Sequence, residues 1–175
     1  MCIRDRIILD IDGVLNCEYC KIKIDGVHFV MDEKIILLKQ LVDRTGAKIV
    51  LSSTWRYGWV YMQDTHIPEN DAFWKREIRH FLALQEKLRE FGVEFLDRTP
   101  VLNESFNHRG EEIDQWLREW EGEPVESFVI LDDLNGKYLR PHAGRLVRTS
   151  LRKGLIQKHV ELAVKILEKP YVEKL

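Results

Sequence analysis

The stretch Ile7-Ile8-Leu9-Asp10-Ile11-Asp12-Gly13-Val14-Leu15 holds a short apolar run that stops abruptly at two acids, two residues apart, and a glycine. An unbroken apolar run of this length suits a strand buried on both faces. The polar stop places Asp10 at the end of that strand and Asp12 on the loop just beyond, where Gly13 permits a sharp exit.

Working outward, Lys21 to Ile24 and Val27 to Val30 alternate in polarity around Asp25-Gly26, a dipeptide suited to a two-residue hairpin turn. From Asp32, read as an N-cap, Ile35, Leu38, Leu41 and Val42 recur at helical spacing up to Gly46, a helix stop. Lys48 to Leu51 make a second buried strand that ends at Ser52. The aromatic stretch from Trp55 to Trp74 has no clear period and reads as an insertion or loop. Ile78 to Phe91 mark an amphipathic helix closed by Gly92, and Val93 to Leu96 a third strand. After an irregular segment from Arg98 to His108, Ile113, Trp116, Leu117 and Trp120 share one helix face. Phe128 to Leu131 and Arg145 to Val147 are further strands, and a helix from Leu155 to Leu167 is stopped by Lys169-Pro170.

Strands alternating with helices predict an α/β fold, a mostly parallel sheet with helices on both faces and ligands at the carboxyl ends of the strands. Asp10, Asp12, Ser52, Asp132 and Asp133 all fall at such ends. Four carboxylates at one sheet edge repel one another unless a cation lies between them. Magnesium prefers oxygen ligands and binds one or two carboxylates together with a substrate phosphate, so the pattern points to phosphate chemistry with Mg2+.

With 175 residues, 45% of them hydrophobic, the chain suits one domain spanning 1–175. A net charge of −2 excludes a global nucleic-acid footprint, so a charged substrate has to be attracted locally. The continuous apolar runs are short and bounded by charges, which excludes a membrane span or secretory signal and implies a soluble, cytoplasmic protein. Three cysteines imply free thiols in a reducing compartment. Cys17 and Cys20 form a single Cys-x-x-Cys without the second pair that a structural zinc site needs, although Cys2 is near. The six histidines show no ligand spacing, and Asp97 and Glu104 receive no role.

The chain resembles the haloacid dehalogenase (HAD)-like phosphatase superfamily through Ile8 to Leu15, the strand-terminal Ser52, the helix-leading Arg109, and Ile-Leu-Asp-Asp at Ile130 to Asp133, in the family's order. Within it, Asp-Gly-Val-Leu-Asn, Val-Leu-Ser-Ser-Thr-Trp-Arg, Arg-Gly-Glu-Glu-Ile-Asp-Gln-Trp-Leu and the late Gly154-Leu155 resemble the HAD domains of Swiss Army Knife RNA repair proteins, over roughly Arg6 to Leu167. The resemblance implies a three-layer α/β/α Rossmann-like fold with a small hairpin flap and no large cap domain. It implies that Asp10 is the nucleophile of an aspartyl-phosphate mechanism and Asp12 the general acid and base. Ser52 would hydrogen-bond a phosphoryl oxygen, with Ser53 as an adjacent rival and Gly13 beside the substrate. Arg109 would supply the positive charge that family members more often take from a lysine, with Lys153 or Arg56 as substitutes. Asp133 would bind the metal with the Asp10 carboxylate and the Asp12 carbonyl, Asp132 being either a direct ligand or one step removed.

Arg56, Tyr57, Trp59, Tyr61, Trp74, Lys75 and Arg76 interleave aromatic and basic side chains, which suits either stacking on bases or a small satellite core. Arg140 to Lys153 carry a local basic excess, either a guide for nucleic acid or a solvated edge. An open site admits a bulky phosphorylated substrate such as a polynucleotide end. The competing expectations are a small-molecule phosphatase or nucleotidase, and a non-catalytic phosphate-binding module. Threonine usually stands where Gly13 and Val14 stand here in relatives that act on proteins.

Overall fold

The computed structural model describes residues 4–172 except 65, 67, 69 and 103–105. Five strands form one parallel sheet: β1 (Asp5–Leu9), β4 (Lys48–Leu51), β5 (Phe95–Arg98), β6 (Ser127–Asp132) and β7 (Leu146–Arg148), in the order β5-β4-β1-β6-β7. A two-stranded hairpin, β2 (Lys23–Ile24) and β3 (Val27–His28), stands apart from it. The helices are α1 (Asp32–Thr45), α2 (Tyr57–Gln63), α3 (Ala72–Glu90), α4 (Arg109–Glu119) and α5 (Gln157–Leu167).

β1 lies at the centre because every one of its residues can be buried. Ile7 and Leu9 face a core shared with α1, α3 and α5, while Ile8 faces the opposite core beneath α4, with Ile113, Trp116, Phe128 and Ile130. Full burial of one such side chain contributes about 1.5–3 kcal/mol. This is the three-layer α/β/α arrangement expected from the alternating pattern. Among the described residues the elements outside the sheet and its α-helices are the two-stranded hairpin and short 3-10 turns, none of them a large cap domain.

Several boundaries depart from expectation. The N-cap of α1 is Met31, not Asp32, because Met31 N–H is tied to Leu15 O at 2.8 Å and its backbone stays extended. Asp32 instead supplies negative charge to the first helical turn and pairs with Lys87. The third strand begins at Phe95 rather than Val93, since Val93 N–H turns back to Leu88 O at 3.0 Å and closes the end of α3. The fifth starts at Leu146, because the Arg145 guanidinium reaches back to Ser127 Oγ and the carbonyls of Lys169 and Pro170. The hairpin strands are only two residues each, and Val30 leaves them to bury itself completely.

Both ends of the aromatic stretch are helical rather than loop. Thr54–Arg56 form one 3-10 turn, α2 follows, and α3 starts at Ala72 behind Asp71, whose carboxylate accepts from Phe73 N–H at 2.9 Å. A seven-residue helix is too short to show a period. Trp59 stacks on Phe81 at 5.2 Å and lies 6.3 Å from Phe95, so much of the aromatic content is packing. Gly58 lets α2 cross α3 closely, because a Cβ there would run into the Glu77 carbonyl and the Phe81 side chain. Gly58→Ala is therefore expected to destabilise the fold by about 1–3 kcal/mol in urea denaturation; an unchanged midpoint would mean that the crossing tolerates a methyl group.

Candidate active site

One row of residues runs along the carboxyl edge of the sheet, held by backbone bonds that extend the parallel ladder one step past each strand. Thr99 N–H bonds Leu51 O, Ser52 N–H bonds Leu9 O, Asp10 N–H bonds Leu131 O, and Thr149 N–H bonds Asp132 O, all between 2.8 and 3.0 Å. Thr99, Ser52, Asp10, Asp132 and Thr149 are thus brought side by side from five strands. The chain runs from β1 toward β4 and β5, then returns to β6 and β7 on the other side, so the crevice between β1 and β6 is the switch point where α/β sheets bind ligands.

Asp10, Asp132 and Asp133 meet there, each offering a carboxylate oxygen, with all three oxygens within 4.8 Å of one another. An oxygen-only donor set of three carboxylates fits a hard divalent cation. Arg109, the first residue of α4, is buried among them: its Nη1 lies 3.5 Å from Ser52 Oγ, 3.7 Å from Asp10 Oδ1 and 3.8 Å from Asp132 Oδ2, and its buried Nε has no hydrogen-bond partner among the described residues. Ser52 Oγ also lies 3.3 Å from Thr99 Oγ1.

Asp12 stands to one side of this cluster. Asn16 Nδ2 donates to its Oδ1 at 2.8 Å, and Trp55 Nε1 donates to its Oδ2 at 3.1 Å. The two donors aim the carboxylate toward the hairpin. Gly13 has a positive φ of 73°, and a Cβ on it would lie 2.6 Å from Asp133 Oδ2, so only glycine lets the loop pass so close to the acid.

Three residues expected at the substrate are engaged within the protein. Gly13 has its N–H on Asn16 Oδ1 at 2.9 Å and its carbonyl on Thr149 Oγ1 at 2.6 Å, so its polar groups hold the loop. Ser53 Oγ caps the turn at Thr54–Arg56 by accepting from Trp55 N–H, leaving Ser52 as the serine facing Arg109. Arg56 is buried and donates to Ser53 O, Pro100 O and the Glu112 carboxylate at 2.6 Å, an ion pair beneath the site. Lys153 is exposed, whereas Arg109 is the buried cation. Thr99, Thr149, Asn16 and Trp55 escaped the sequence reading. For the two threonines a signal existed, since each follows a strand. Asp97 accepts from Trp116 Nε1 at 2.8 Å, and Glu104 and Cys2 lie outside the described residues. Cys17 and Cys20 are free and buried at the root of the hairpin.

Burial raises the Asp10 carboxyl well above the usual carboxylate range, with Asp132 and Asp12 adding repulsion that Arg109 only partly offsets. Burial likewise raises Asp132, against the pull of Arg109, and raises Asp133, where Asp12 adds to the effect. Burial disfavours the charged form of Arg109, but Asp10 and Asp132 outweigh it and hold the guanidinium protonated.

A parallel sheet of this order, with aspartates at the ends of two adjacent inner strands, is consistent with the haloacid dehalogenase type of fold. The chain belongs to the family described as the HAD domain in Swiss Army Knife RNA repair proteins, which it matches over residues 6–160. At the level of the superfamily it is a HAD-type phosphatase. No curated protein and no solved structure matches it. No helix among the described residues is long and apolar enough to cross a membrane.

Because the folded protein holds the Asp10 proton more tightly than the unfolded chain does, ionised Asp10 weakens the metal-free fold as pH rises from about 4 through its raised pKa. Metal-free Asp10→Asn should therefore melt above wild type at pH 8, with the gap closing toward pH 4. A gap independent of pH would show that the carboxyl is not perturbed in this way.

Proposed function

We infer that the chain is a magnesium-dependent phosphomonoester hydrolase working through an aspartyl-phosphate on Asp10. The observation that carries this reading is the gathering of Asp10, Asp132 and Asp133 within 4.8 Å beside a buried arginine, with a separate carboxylate, Asp12, held off by two donors. A nucleophile has to be ionised; burial favours the neutral form of Asp10, and a cation held with Asp132 and Asp133 would restore its charge.

In the first step an Asp10 oxygen attacks phosphorus while the ester P–O bond breaks, and Asp12 gives its proton to the departing alkoxide. In the second, Asp12 takes a proton from water, the water oxygen attacks the phosphorus, and the aspartyl P–O bond breaks to release orthophosphate and restore Asp10. Arg109 and Ser52 face the side where phosphoryl oxygens would lie, and a guanidinium matches that charge and geometry. Asp10, Asp133 and the Asp12 carbonyl would hold a magnesium ion, with Asp132 as a further ligand, and the ion would neutralise the phosphate charge. The substrate read here is a polynucleotide end, RNA in particular, with small phosphate monoesters as the alternative. The family's description and the uncapped edge support the first.

Phosphate release from 5′- and 3′-phosphorylated oligonucleotides, nucleotides and sugar phosphates tests the reading. Asp10→Asn should lower turnover by about a thousandfold or more, and chelation of magnesium should do likewise. Equal rates for the two proteins would end the mechanism, and turnover of mononucleotides or sugar phosphates alone would end the RNA reading. Trp55→Phe keeps the ring and removes the donor to Asp12. It should cut kcat about tenfold for an alkyl phosphate and less for p-nitrophenyl phosphate, whose leaving group needs little protonation. Equal losses on both substrates would refute a role in positioning the acid.

A further inference from the structure

Asp12 opens onto a cleft of about 150 Å3 between the hairpin and α3, whose walls include Val27, Trp55, Arg76, Glu77 and His80. The hairpin is fastened over it. Asp25 at the turn accepts from Arg79 Nη2 at 2.8 Å and lies 2.9 Å from His80 Nε2, and the His80 ring lies 5.5 Å from that of Trp55. If Asp12 protonates the departing oxygen, the alcohol must lie on this side of the phosphate, so the cleft is where the leaving group goes.

Its chemistry restricts what that group is. Inside the cleft Asp12 and Glu77 offer oxygens and the guanidinium of Arg76 is at the rim, so a second anion finds no guanidinium deeper within it. A sugar fits better: Glu77 and Thr54 offer oxygens to its hydroxyls, and Trp55 offers an apolar ring. Any further phosphate of the leaving group has to lie at the rim. There the Arg76 side chain is 44% exposed, and its pair with Glu77 at 3.1 Å is of the partly exposed kind that holds weakly. The Arg76 guanidinium carbon lies 5.3 Å from the centroid of the Phe73 ring, one helical turn away, and Phe73 is 46% exposed. A cation beside an exposed aromatic face suits a backbone phosphate and the adjacent base.

Resting on the phosphatase reading above, we propose that this cleft and its rim form a leaving-group site for a single-stranded polynucleotide end, with the terminal sugar in the cleft, the next phosphate on Arg76 and the next base on Phe73. The enzyme then favours a phosphorylated dinucleotide over the mononucleotide carrying the same terminal phosphate.

The test is the ratio of kcat/KM for dinucleotide over mononucleotide, measured on the full chain with 3′- and 5′-phosphorylated pairs. Wild type should favour the dinucleotide by about tenfold or more in one pair. Arg76→Ala should bring that ratio near unity, Phe73→Ala should lower it several-fold, and Arg76→Lys should retain most of it. Lys165→Ala, an exposed charge on α5, should leave it unchanged. Added salt should erode the preference in wild type more than in Arg76→Ala. A wild-type ratio near unity, or an Arg76→Ala ratio equal to wild type, would overturn the site while leaving the phosphatase reading intact. Full turnover by Asp10→Asn would overturn the reading on which it rests.

Discussion

Three carboxylates within 4.8 Å of one another, at the ends of two buried parallel strands, set the terms for everything around them. At an effective dielectric of about 20, two ionised groups at that separation repel by roughly 3 kcal/mol. One guanidinium, that of Arg109, is buried among them, and it can balance only one of the three charges. The remaining two negative charges are the complement of a divalent cation. Without one, all three carboxyls are displaced toward their protonated forms. A site of this kind is unfavourable for the fold alone, and the two strands that present it are buried along their whole length.

The sheet edge also explains why the two acids of Asp-Ile-Asp differ. Asp10 continues the ladder through its N–H to Leu131 O, so it cannot leave the cluster. Asp12 lies past the last ladder bond, on a loop that Gly13, Asn16 and Thr149 tie down, and Trp55 draws its carboxylate toward the hairpin. A displacement of a few ångströms along the chain thereby separates a buried group among like charges from one held by two neutral donors. Below this layer, the buried pair of Arg56 and Glu112 carries the loop that presents Ser52 and Trp55. Breaking such a pair typically costs about 3–5 kcal/mol, so Arg56 matters to the site as a support.

Much of this was legible along the chain. Apolar runs ending at Asp10, Ser52 and Asp132 identified strand ends, and strand ends share one edge in a parallel sheet, so the acidic cluster followed from local pattern and general topology. Local pattern also located the helices and the hairpin turn, with boundaries displaced where a tertiary bond took hold, as at Met31 and Val93. The aromatic stretch was illegible because a short helix packed on several sides leaves no period.

What the sequence determined by itself is the set of groups at the edge, since burial of β1 and β6 depends on side chains that are nearest neighbours along the chain. Which polar groups remain available there was decided only by tertiary structure. Arg56 and Arg109 are equivalent as letters. Glu112 claims one, and Asp10 and Asp132 surround the other, through contacts between residues more than twenty positions apart. Trp55 is drawn to Asp12 in the same way, across 43 positions, whereas the Gly13 N–H and the Ser53 hydroxyl are occupied locally, by Asn16 three residues on and by the Trp55 N–H two residues on.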